Sequence, residues 1–223
     1  DHAPEDRVRR LIAAGLALPG TVTDLPIKAQ AFGSRRPDGS PNVLLAVAVD
    51  GSEVGVMLTP DGERRISLDL HSIVLEGTQQ IDEAHEQLIA RSTDDGHFEA
   101  ANDKTLTPRL AGYLAYQHEW TLGPATYTFN VAAVDNVTGR VGATSIEIEV
   151  APYKNEDDWG ISDPLFVTVD DAGRAHPVVL GRFVPGDNVA AFVEVYGGQR
   201  PILSGQVFLE TAGPHKGKQG ARL

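Results

Sequence analysis

The stretch GPATYTFNVAAVDNVTGRVGATSIEIEV, residues 123 to 150, decides the fold. Tyr127, Phe129, Val131 and Ala133 alternate along its first half, Ile146, Ile148 and Val150 along its second, and the turn residues NVTG separate the two. Side chains two positions apart share one face of a strand, so each half presents an apolar face to a core and the whole reads as a β-hairpin. Tyr127 follows a Gly-Pro turn at the start of the first strand. That is the position of a tyrosine corner, whose hydroxyl ties a chain crossing to nearby backbone, and it makes Tyr127 structural.

Working outward, short runs of β-forming residues predict further strands near 27 to 33, 43 to 50, 54 to 59, 66 to 75 and 110 to 121. Turn clusters separate them: Pro37-Asp38-Gly39-Ser40, Asp50-Gly51 and Pro60-Asp61-Gly62. With the hairpin this gives seven strands, enough for an all-β, immunoglobulin-like sandwich over residues 23 to 151. Trp120 closes an alternating strand and belongs to its core.

The flanks differ. Within residues 1 to 22, Val8, Leu11, Ile12 and Leu16 form one stripe between the start signals Pro4, Glu5 and Asp6 and the stop Pro19-Gly20, predicting a short N-terminal helix and linker. Ile81, Ala84, His85, Leu88 and Ile89 also have helical spacing, and a second short helix is expected over 79 to 91. The polar segment 92 to 109 reads as a mobile loop. Residues 152 to 223 form a second β-rich unit, smaller or truncated, with strands near 165 to 170, 178 to 184, 189 to 196 and 202 to 210. The tail GPHKGKQGARL has no periodicity.

Composition narrows the function classes. Nineteen basic against thirty-one acidic residues give a net charge of −12, which repels phosphate backbones and anionic headgroups and argues against nucleic-acid and membrane partners. No apolar run reaches the roughly 20 residues of a membrane-spanning helix. Cysteine is absent, removing disulfides, thiolate nucleophiles and cysteine metal sites.

Enzyme signatures fail on spacing. His85-Glu86 begins like a zincin helix, but the second ligand would fall at Ile89. No G-x-S-x-G elbow surrounds any serine. Only three residues separate Gly213 from Gly217, too few for a phosphate loop. His71 and His118 fall within predicted strands, where a structural role outweighs a ligand role; His97, His176 and His215 are placed in loops. Hard cations need clustered oxygens, so Asp157, Asp158 and Asp163, in the acidic stretch YKNEDDWGISDP, are the calcium candidates; no other cofactor is expected.

Three segments resemble the C-terminal β-rich region of the acidobacterial VWFA-related domain proteins: TDLPIKAQAF (23 to 32), the hairpin above (123 to 150) and GRFVPGDNVAAFVEVYG (181 to 197). The resemblance implies an extracytoplasmic, non-enzymatic, protein-interaction setting. The A domain itself is not matched, because its D-x-S-x-S metal motif and alternating β/α pattern do not occur, so no residue here inherits its adhesion site.

The expected function is therefore a non-catalytic structural or interaction module of a larger secreted or surface protein, with a protein or polysaccharide partner. The alternative is a carbohydrate-binding or calcium-dependent adhesive module, in which Trp159 and Tyr153 supply the stacking surface. A third reading is an enzyme with a loop-assembled site; Asp94, Asp95, His97 and Glu99 would carry it, and a pocket joining them to His71 or His118 would be its sign. The segment 202 to 210 lacks an evident partner and is expected to recruit a second copy through its edge.

Overall fold

The computed structural model describes residues 3–36, 39–92, 98–100, 107–110, 113–152, 160–169, 175–179, 188–196, 206–210 and 218–222. The helix α1 (Ala3–Ala17) comes first, followed by β1 (Ile27–Arg35), β2 (Pro41–Asp50), β3 (Met57–Leu58), β4 (Arg64–Glu76) and β5 (Gln79–Ser92). The strands β6 (Phe98–Ala100), β7 (Thr107–Leu110), β8 (Tyr113–Trp120), β9 (Ala125–Asp135) and β10 (Val141–Val150) complete an all-β sandwich. One sheet has the order β1-β2-β8-β7, the other β10-β9-β4-β5-β6 with β3 on β4, and every pairing is antiparallel.

The core follows from the period of two. Val43, Leu45, Val47 and Val49 of β2, Leu68, Leu70 and Val74 of β4, and Phe129 and Val131 of β9 point inward and are buried. Trp120 is buried with them, its ring centroid 5.2 Å from that of Phe129. The hydroxyl of Tyr127 donates to the carbonyl of Gly123 at 2.8 Å, the tether expected of a tyrosine corner. In the turn after β9, the fully buried carboxylate of Asp135 accepts from the backbone N–H groups of Gly55 (2.7 Å) and Val137 (2.9 Å) and from the Thr138 hydroxyl (2.5 Å). These bonds satisfy a charge that would otherwise be costly to bury.

The helix lies where its stripe predicts. Ile12 is buried, and Val8, Leu11 and Leu16 pack with it on Ala132, Val134, Val141 and Ala143, the outer face of β9 and β10. Asn130 donates to the carbonyl of Leu16 at 3.1 Å, answering one of the carbonyls that a helix end leaves without an intrahelical partner. From there residues 20 to 25 run along the edge of β10, with Leu25 N–H donating to Val141 and Ala143 N–H donating to Val22. A Cβ on Gly142 would sit 1.9 Å from the Leu25 carbonyl oxygen, so only glycine allows this approach.

Several expectations are corrected. Residues 79 to 91 are not helical: β5 runs through them, paired with β4 and burying Leu88 and Ala90. Their helical spacing mixes two faces, since Ile89 lies on the outer face and Ile81 is the extra residue of a bulge: Leu75 pairs with Gln80, but Val74 with Asp82. Within 92 to 109, β6 and β7 stand where a loop is expected. The segment 202 to 210 has a partner in its own chain, because β16 (Gln206–Glu210) pairs with β17 (Lys218–Arg222) in the tail.

The remaining strands are short: β11 (Gly160–Ile161), β12 (Leu165–Val169), β13 (Ala175–Pro177), β14 (Val189–Phe192) and β15 (Val195–Tyr196). The strands β12, β13 and β14 form one small sheet, with His176 in β13 rather than in a loop, and β11 pairs with β15. Val179, in the turn after β13, packs on Ala46 and Ala48, the outer face of β2, beside Phe32. Of the strand expected over 178 to 184, only residues 178 and 179 are described, and neither is in a strand.

Candidate functional site

Among the described residues, the outer face of the larger sheet is only partly covered. The helix α1 packs on β9 and β10, and a concave space of about 470 Å³ opens beside it over β4 and β5. Its apolar wall is Val8 and Ile12 of the helix; its floor includes Asp69 and His71 of β4 with His85 and Gln87 of β5. The exposed Arg9 side chain lies at the same opening.

Strand pairing sets the floor. Asp69 is directly opposite Gln87, and His71 directly opposite His85. A regular two-residue hairpin at Gly77-Thr78 continued past Leu75 would place His71 against Ala84, leaving His85 on the other face. The bulge at Ile81 absorbs one residue and brings both imidazoles to one side. The rings stack with centroids 3.9 Å apart at 28°. Among the described residues neither ring has a hydrogen-bond partner. Burial holds the pKa of His71 below the ordinary histidine value, and His85 adds to this; the carboxylates of Asp69 and Glu83 oppose it. Among the described residues, no three His, Asp or Glu side chains converge on one point.

His118 is of a different kind. It points into the sandwich, where its Nδ1 lies 3.1 Å from the Tyr116 hydroxyl and its ring 4.2 Å from that of Trp120. Burial lowers its pKa, against Glu86, Asp82 and Glu119, and burial raises that of Tyr116. This is a half-buried structural histidine with one ring nitrogen engaged by Tyr116.

The calcium candidates divide. Asp163 sits against the edge of β1: its carboxylate accepts from Gly33 N–H at 3.0 Å and its own N–H donates to the Gly33 carbonyl at 3.3 Å. It therefore fastens the second unit to the first sheet. Asp157 and Asp158, like the proposed stacking residues Trp159 and Tyr153, lie outside the described residues. So do Asp94, Asp95 and His97 of the third reading, while Glu99 falls in β6. The pocket at His71 joins it to His85 and to the helix.

The sequence alone missed the pairing of His71 with His85. The signal was the Gly77-Thr78 turn between two segments that can both be strands; reading 79 to 91 as a helix hid it. No protein-family model matches the chain, and no curated protein shows significant similarity to it. No helix among the described residues is long and apolar enough to cross a membrane.

Proposed function

We propose that the chain is a non-catalytic structural and interaction module of a larger secreted or surface protein, in which the sandwich joins the segment before it to the unit after it. The observation that carries this reading is the use of both outer faces. On one, α1 is packed through Ile12 onto Ala132 and Val134; on the other, Val179 is packed on Ala46 and Ala48, and Asp163 clasps the edge of β1. Alanines at these outward positions leave room for a neighbour's side chains, as expected of surfaces that hold another layer. The resemblance to the VWFA-related proteins supports the same setting, with α1 as the connection from a preceding domain.

Fractionation of the source cells with an antibody against the chain tests the reading. The expected result is a band outside the cytoplasmic membrane in a polypeptide larger than the 23.8 kDa of this sequence. A 23.8 kDa band confined to the cytoplasm would overturn it.

A further inference from the structure

We propose that the hollow between α1 and the outer face of β4 and β5 binds a neutral saccharide, with Asp69, His71, His85 and Gln87 holding its hydroxyls and Val8 and Ile12 taking the C–H face of its ring. The space of about 470 Å³ falls within the roughly 300–1,000 Å³ of small-molecule sites. Two rows of directly opposed residues make its floor: Asp69 with Gln87, and His71 with His85. Residues two apart on one face of a strand are separated by about 7 Å, close to the breadth of a pyranose ring with its hydroxyls.

These four side chains have hydrogen-bonding capacity to spare. Among the described residues, the Asp69 carboxylate, the Gln87 amide and both imidazoles make no side-chain hydrogen bond, and stacking of the two rings uses none of their nitrogens. Asn136, at the end of the floor, is instead fixed by its donation to the Ser67 hydroxyl at 3.0 Å. A carboxylate offers only acceptors, an amide offers both donors and an acceptor, and an imidazole offers an N–H in either protonation state. A hydroxyl both donates and accepts, so neighbouring hydroxyls of one sugar satisfy such a mixed floor.

Charge and position narrow the ligand. Asp69 in the floor repels an anion and the Arg9 guanidinium at the opening repels a cation, so a neutral polyol meets neither penalty. An extended peptide binds a sheet through main-chain partners at an edge, and β4 has none to give here, because Asp69 and His71 are paired with β5 on one side and β9 on the other. The aliphatic side chains of α1 form the wall against which the C–H groups of a sugar ring lose water. The hollow needs α1 docked on the sheet but no neighbouring domain, so it stands apart from the joining role of the sandwich.

The test titrates the whole chain with neutral oligosaccharides of glucose, galactose, mannose and xylose at millimolar concentration, following backbone and side-chain resonances by NMR. The expected result is saturable binding of at least one of them, with Val8, Ile12, His71, His85 and Gln87 shifting together. Asp69→Ala should weaken it about 10–100-fold, the loss of a hydrogen bond to a charged group, and Gln87→Ala about 2–10-fold. Unchanged β9 amide shifts in each variant report that it is folded. Trp159→Ala and Tyr153→Ala should leave binding as it is. Unmoved resonances around the hollow with every sugar of the set would overturn the proposal. So would sugar binding that survives Asp69→Ala and is lost in Trp159→Ala, or shifts of the same resonances with a capped trialanine peptide and with no sugar.

Discussion

In the β9–β10 hairpin both faces are occupied. Phe129 and Val131 point into the sandwich, while Ala132, Val134, Val141 and Ala143 lie under α1. In the β4–β5 hairpin the described residues close the inner face, with Leu68, Leu70, Leu88 and Ala90 buried there. Its outer face carries Asp69, His71, His85 and Gln87 beside an open hollow. The two hairpins share one sheet, yet the first serves assembly and the second is left with polar chemistry facing outward. The covered hairpin should therefore govern stability, and the open one should tolerate change and respond to solution conditions.

The largest effect expected lies in the covered hairpin. Asp135→Ala removes the acceptor of three hydrogen bonds to a buried charge and should cost about 4 kcal/mol or more in chemical denaturation. A cost near that of a surface substitution would erase the contrast. Next, Gly142→Ala pushes a methyl into the Leu25 carbonyl and should cost about 2–3 kcal/mol, with residues 20 to 25 lifting from β10 and their amides losing exchange protection.

A pH effect follows for the histidines. Both His71 and His118 have folded pKa values below the ordinary 6.5, so the unfolded chain binds protons more readily. Their contribution is fully present above pH 6.5 and is lost as pH falls from there through the folded values. The unfolding midpoint should drop across that window, and less so in His118→Gln; an equal drop in the variant would exclude His118 as a source. The smallest effect is expected at Ile81. Deleting it lets Asp82 pair with Val74 directly beyond Gln80, removing the bulge and keeping His71 opposite His85. The change in stability should stay within about 1 kcal/mol, and persistence of contacts between the two rings by NMR checks the register.

The same contrast explains what the sequence disclosed. Strands β9 and β10 are legible because Tyr127, Phe129 and Val131 alternate and the NVTG turn is unambiguous; α1 is legible because its stripe is apolar. Strand β5 is not, because its inner residues Ala84, Glu86, Leu88 and Ala90 are only partly apolar and a bulge interrupts the period at Ile81. Short-range helical spacing then competes with a pairing that only the tertiary structure decides. The candidate site shared that fate: two histidines fourteen residues apart look unrelated until the hairpin register is known. The role of Asp163 was equally hidden, since its partner Gly33 lies in the first sheet.

That the sandwich holds its two neighbours as parts of one body is tested most directly by native-state hydrogen exchange across the whole chain. A free helix of 15 residues is marginal in water, so protection of α1 must come from its docking on β9 and β10. Amides in the last two turns of α1 and at Val167 of β12 should open with free energies approaching those of β9. Exchange of α1 and β12 at the rates of unstructured peptide, while β9 stays protected, would contradict it.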